Sequence, residues 1–326
     1  MKIIALLIFI LFATPGCAST QPGSSPALYR ITSPTGHSAY LFGSVHAGSE
    51  DWLPLPSYIM DAFNRSDYLA LEFDFVDPME HGRTMSEAME RERAQRGIGT
   101  FASIVGLDEF LRVHSALREA YELAGQPITI QPTVTTADII SIISYIPFSH
   151  HTNNLGISFE ASPDRYIINA ISHQQTLILE GADFYAALFY SLPFDITQLL
   201  LIDQAMKQLE EGTWRDYDIF GRRNREEIMQ ETMEAWRTGD EARRYAIRHP
   251  LMGNYENLTQ EQFQLYYYMH YVFLNGRTAY MAQNLSNYMA EGKNIFAMIG
   301  YTHTIGPGSI PYLLRQQGYI IETVTA

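Results

Sequence analysis

Short unbroken apolar runs, most of them closed by a glycine or a carboxylate, mark both ends of this chain. Its middle instead repeats apolar residues at three- and four-residue steps. Runs of the first kind predict buried strands, and recurrence of the second kind predicts helices. Residues 28–32 and 38–43 flank Ser33-Pro-Thr-Gly36, which is a hairpin signature. The prolines of Trp52-Leu-Pro-Leu-Pro56 exclude regular helix there, and Pro56 opens a short amphipathic helix to Asn64. Tyr68-Leu-Ala-Leu-Glu72 reads as a buried strand that ends on a carboxylate, and residues 176–180, ending at Glu180, repeat that form.

Between these strands, residues 77–97 are dense in charge and methionine and predict a solvated helix or a mobile flap. Helices follow over 107–124 and 135–146, the second opening on Thr135-Thr-Ala-Asp138, close to a capping box. Ser162-Pro163 is an N-cap with proline at the first helical position and predicts a helix over 163–173. Residues 183–291 read as almost wholly helical, with a further capping box at Thr259-Gln-Glu-Gln262. A strand over 294–300, a loop with Gly306-Pro-Gly308, a helix over 309–317 and a strand over 319–324 close the chain. The fold class expected is α/β (α+β): a central mixed sheet, N- and C-terminal β/α units packed together, and a long helical middle.

Two of the strands deliver the same punctuation. Ala39-Tyr-Leu-Phe-Gly-Ser-Val-His46 and Asn294-Ile-Phe-Ala-Met-Ile-Gly-Tyr-Thr-His303 each run into Gly-x-x-His. A strand that stops at glycine can turn sharply and present the histidine beyond its carboxyl end. In open α/β sheets ligands bind at that edge. If the strands are sheet neighbours, His46, Glu72 and His303 converge. Two imidazoles and a carboxylate form a reasonable metal set, and a bound cation would supply hydroxide near neutral pH. Without metal, a His–Glu pair orients a general base for water. Both routes lead to hydrolysis. A single Gly-x-x-His is a weak pattern, and the argument rests on two copies plus the glutamate.

Other residues carry less. Glu180 is drawn to the same sheet edge as a second-tier site residue. Arg277 could neutralise a carboxylate or a developing anion, against a surface role as the plainer reading. His150-His151 could border a pocket, with an exposed polar loop as the favoured reading. Tyr266-Tyr-Tyr-Met-His270-Tyr suggests a haem box at first sight and aromatic core packing on closer reading, and Arg222-Arg-Asn-Arg225 reads as a solvated helix face.

Composition narrows the class. Of 326 residues, 46% are hydrophobic, enough for a large core, and the aromatic content of 13% argues against disorder. A net charge of -14 argues against nucleic acid as partner. Residues 1–17 predict an export signal: Lys2, an apolar run from Ile3 to Phe12 too short for a comfortable membrane span, then Gly16-Cys17. Gly16-Cys17 resembles a bacterial lipobox, making Cys17 the lipidation site, with cleavage and secretion as the alternative. Residues 18–27 then form a Ser/Pro/Gly-rich tether. The expected location is the cell envelope, lipid-anchored at the outer membrane or on the periplasmic face. Cys17 is the chain's one cysteine, so no thiolate is expected at a metal site.

The chain resembles the TraB/GumN-like family, which also includes PrgY and the Tiki proteases. The resemblance rests on Tyr40-Leu-Phe-Gly-Ser-Val-His46 with Leu53-Pro-Leu-Pro56, on Leu69-Ala-Leu-Glu72, and on Leu155-Gly-Ile-Ser-Phe-Glu160 leading to Leu179-Glu180. It continues through Phe296-Ala-Met-Ile-Gly300-Tyr-Thr-His303, Gly306, Leu313-Leu314 and Gly318-Tyr319, and spans 28–326 as one domain. It implies an α/β fold with paired Gly-x-x-His motifs at the active site, and a distant relation to erythromycin-esterase-like and haem-binding ChaN-like proteins. By it, His46, Glu72, His303 and Arg277 are the catalytic set, with His46, Glu72 and His303 holding a divalent ion such as Mn, Co or Zn. Gly43, Gly300, Glu180 and Thr278 would border the substrate, a peptide or a small molecule. Two departures stand out: Thr278 replaces an asparagine that follows the arginine in the family, and Thr304 follows His303 where the family has an apolar residue. The expected function is a cell-envelope hydrolase, a metal-dependent peptidase; the alternative is a non-catalytic envelope lipoprotein that binds haem, metal or peptide.

Overall fold

The computed structural model describes residues 25–324, apart from 75, 124, 126, 217–223 and 249–257. The expected leader, Cys17 and the tether up to residue 24 lie outside the described residues, as do Arg222 and Arg223. Six strands form one mixed sheet: β1 Leu28–Thr32, β2 Ser38–Ser44, β3 Tyr68–Leu71, β4 Gln175–Ile178, β5 Ile295–Gly300 and β6 Ile320–Val324. Their order is β4-β3-β5-β2-β1-β6. The β1–β2 hairpin and the β1–β6 pair are antiparallel, whereas β2, β5, β3 and β4 run parallel. The carboxyl ends of those four strands therefore share one edge. β5 sits between β2 and β3, which brings the two Gly-x-x-His units side by side: Gly43 pairs with Ile299 and Ser44 with Gly300.

The alternation along β5 explains its place at the sheet centre. Ile295, Ala297 and Ile299 face one side and Phe296 and Met298 the other, and all are buried. The first face packs on Met281, Ala282, Leu285 and Met289 of the Asn275–Ala290 helix and on Ile310 and Leu314 near the C-terminus. The second face packs on Ile59 and Phe63 of the Ser57–Asn64 helix, on Ile167 and Ile168, and on Trp236. Helices thus cover both faces of the parallel strands, as such strands require. A further core lies among the central helices, around Phe110, Leu117, Ile139 and Met206.

The expected elements form with small shifts. The solvated helix spans Pro78–Gln95, and the capping boxes at Thr135 and Thr259 are both made. The Ser162-capped helix is shorter than expected, Pro163–Asn169. One expectation is overturned. The helix expected over 135–146 continues through Leu155 and carries His150 and His151, with His151 buried rather than in an exposed loop. Gly156, in the left-handed conformation, ends it. The aromatic run around His270 divides between core and surface: Tyr266 is buried, and Tyr267 and Tyr271 are exposed.

Candidate functional site

The shared edge carries six of the site residues expected from sequence: Gly43, His46, Glu72, Glu180, Gly300 and His303. Glu72 follows β3 directly and is buried. Its Oε1 accepts a hydrogen bond from the backbone N–H of Gly300, and its Oε2 accepts one from Arg277 Nη2 at 3.1 Å. Gly300 is indispensable to this approach. A Cβ at that position would lie 2.8 Å from Glu72 Oε1 and 3.5 Å from His46 Nε2. The carboxylate and the imidazole thus meet over the same glycine. Gly43 plays the equivalent role on the neighbouring strand β2, where a Cβ would lie 2.6 Å from Thr304 Oγ1 and 3.2 Å from the backbone of Tyr301. The polar residue after His303 therefore belongs to the packing, since Thr304 is buried and bonds back to the Tyr301 carbonyl.

His46 has a partner that pattern reading missed. Its Nδ1 lies 3.2 Å from Oδ1 of Asp164, which also accepts the Ser44 hydroxyl at 2.9 Å. Asp164 is buried in the first turn of the Pro163–Asn169 helix, whereas the His46 ring is about half exposed. Burial works against charge on His46, but the hydrogen bond to Asp164 and its charge, helped by Glu72, win and push the imidazole up to about 9. The ring is cationic at neutral pH. A buried carboxylate needs such a partner.

Arg277 is not a surface residue. Its guanidinium sits in the first turn of the Asn275–Ala290 helix and spans two carboxylates. Nε bonds Glu180 Oε1 at 2.7 Å, and Nη2 bonds Glu180 Oε2 at 2.8 Å as well as Glu72. The rings of Phe73, Tyr185 and Phe273 surround it, each within 6 Å. Burial raises the pKa of Glu180; Arg277 opposes that rise and the charge on Glu72 adds to it. Arg277 therefore holds the site's carboxylates in place.

His303 is buried in the turn after β5, and its Nδ1 lies 2.7 Å from Thr278 Oγ1. The Thr278 hydroxyl gives its single proton to the Leu274 carbonyl at 2.8 Å. Its oxygen therefore accepts from His303 Nδ1–H. Thr278 thus anchors His303 through its one hydroxyl.

The fit of a divalent ion follows from these partners. His46 and His303 are each anchored through Nδ1, the arrangement that orients imidazole ligands. Glu72 is a hard oxygen donor, but both its oxygens are engaged. Among the described residues no three His, Cys, Asp or Glu side chains gather as a metal-holding group. Of the expected ligands, His46 and Glu72 approach one glycine, where both Glu72 oxygens are engaged and the His46 ring carries a proton that an ion would have to displace.

The site opens into a cavity of about 470 Å³ that His46, Gly300 and Tyr301 line at one end. Arg225, expected on a solvated helix face, lines it too and is half-buried.

Comparison with known proteins agrees with the resemblance read from the motifs. The chain is 22% identical over 289 residues to the uncharacterized protein YbaP of Shigella flexneri, covering 87% of this chain and 90% of that one. No solved structure matches it significantly. The model of the TraB/PrgY/gumN family matches residues 27–323, and the chain belongs to that family.

Proposed function

We propose that this protein is a cell-envelope hydrolase acting on peptides, with its reacting groups gathered over Gly300. The observation that carries the reading is the convergence of His46 Nε2 and Glu72 Oε1 on one glycine at the carboxyl edge of the parallel strands. The two groups differ in kind, as acid–base catalysis requires. His46, protonated near neutrality through Asp164, donates a proton to the departing amine. Glu72 takes a proton from the attacking water, and the Gly300 N–H and Arg277 fix its orientation. Glu180 fixes Arg277 in turn. A divalent ion bound by Glu72 and by His46 stripped of its Nε2 proton would instead supply a water of lowered pKa, in place of the His46 acid.

Envelope attachment belongs to the same proposal and rests on the leader and Cys17. Among the described residues no single helix is long and apolar enough to cross a membrane. One observation favours the binding alternative: Glu72 already has both oxygens engaged, which weakens it as a base. A broad peptide-cleavage screen separates the two, run beside elemental analysis and a haem titration of the purified protein. Turnover that is lost in both His46→Ala and Glu72→Gln is the expected result. Cleavage that persists in both variants would overturn the assignment. Ligand or haem binding without any cleavage would replace it with the binding reading.

A further inference from the structure

The cavity beside His46 is built for one kind of ligand. Its walls are apolar, with Val45 from the sheet edge, Ile228, Met229 and Met233 from the Arg225–Arg237 helix, and Tyr301. Among the described residues no carboxylate lines it; its ionisable lining groups are His46, His151 and Arg225, the last also donating to Gln208 Oε1 at 3.3 Å. His151 is 3% exposed, and neither ring nitrogen has a hydrogen-bond partner. Glu226 Oε2 stands 3.9 Å from its Nδ1, beyond hydrogen-bond reach. A buried imidazole with both nitrogens unsatisfied is desolvated without compensation. A ligand that reaches it supplies that compensation.

We infer that this cavity binds a carboxylate carried on an apolar body, with His151 and Arg225 as the carboxylate-recognising groups. Burial lowers the His151 pKa, and the neighbouring His150 and Arg225 lower it further. The neutral ring offers one N–H to the carboxylate, and Arg225 supplies the opposing charge. Ile228, Met229 and Met233 take the apolar body, and methionine adapts to varied shapes. Because His46 lines the same cavity, the carboxylate marks the end of the substrate and the bond to be cut lies toward His46. A peptide C-terminus or a fatty acid would each present this chemistry. The inference rests on the hydrolase reading only for the position of that bond, and binding is measured without turnover, so the two fail separately.

The test is calorimetric titration of the purified protein with N-acetyl-leucyl-leucine, its C-terminal amide, and octanoate. At least one acid is expected to bind about tenfold or more tighter than the amide. His151→Phe and Arg225→Gln should each remove that preference while leaving amide binding in place. Binding of the dipeptide acid alone assigns a peptide terminus, and binding of octanoate alone assigns a fatty acid. Equal affinity for acid and amide in the wild type overturns the inference, as does failure of both acids to bind. That comparison stands even if a variant fails to fold. Unchanged acid binding in folded His151→Phe also overturns it.

Discussion

At the scale of single residues, the His46–Asp164 pair decides the chemistry of the site. The folded protein holds the His46 proton more tightly than the unfolded chain, because its pKa rises from 6.5 to about 9. The pair's contribution to stability is therefore fully present below about pH 6.5 and is lost as pH rises through about 9. The ring is half exposed, so solvent screening keeps that contribution small. Asp164→Asn removes the charge and keeps an oxygen. In metal-free protein the His46 ring should then titrate near the ordinary imidazole value, followed by its NMR signals. The urea midpoints of wild type and variant should differ at pH 6 and converge by pH 10. A His46 titration unmoved by the substitution would show that Asp164 is not its controlling partner. None of this was legible in the sequence. Asp164 lies 118 residues from His46, and as an acid in the first turn of a helix it has an ordinary local explanation. Arg277 was half legible for the same reason. Its chemistry could be suspected, but its burial depends on two carboxylates that β3 and β4 bring to it.

At the scale of elements, the legible feature was the strand that ends in glycine. Residues 28–44, 68–72 and 294–300 carry their strands in local composition, and Gly43 and Gly300 mark where they stop. The register gives those glycines a purpose. Gly43 and Gly300 lie one step apart across the β2–β5 pair, and each leaves space that another residue's side chain occupies. Gly300→Ala would press a methyl against Glu72 and His46, both ends of side chains, so the sheet has room to survive while the site does not. Gly43→Ala meets the backbone of Tyr301 as well as Thr304, so it should disturb the turn that carries His303. The expected result is turnover lowered by about tenfold or more in Gly300→Ala, with a urea midpoint close to wild type. Gly43→Ala should lose both stability and turnover. Full activity in Gly300→Ala would refute the convergence on that glycine. What composition could not show was the end of the Thr136–Leu155 helix. Thr152, Asn153 and Asn154 are weak helix formers, and tertiary cover over His151 carries the helix past them.

At the scale of the whole molecule, the sheet alone does not make the site. The helical middle supplies the other cavity wall, and its docking onto the sheet edge passes through Trp236. That side chain is fully buried at the end of the Arg225–Arg237 helix, packs edge-on against Phe42 and close to Trp52, and donates its indole N–H to the Gly43 carbonyl at 2.7 Å. The same helix carries Ile228, Met229 and Met233 into the cavity. One hydrogen bond thus joins the first Gly-x-x-His turn to the wall that faces it. Trp236→Phe keeps an aromatic ring in the gap and removes the donor. Losing that bond and some of the packing should cost about 1–3 kcal/mol, read as a lower urea midpoint with an unchanged slope. Because that bond ties the helix to the turn, turnover and acid binding should weaken by more than Trp52→Phe causes on the outer side of the same aromatic cluster. Equal, small effects from the two substitutions would mean that the helix is positioned by general packing, and that the Gly43 contact does not couple the cavity to the site.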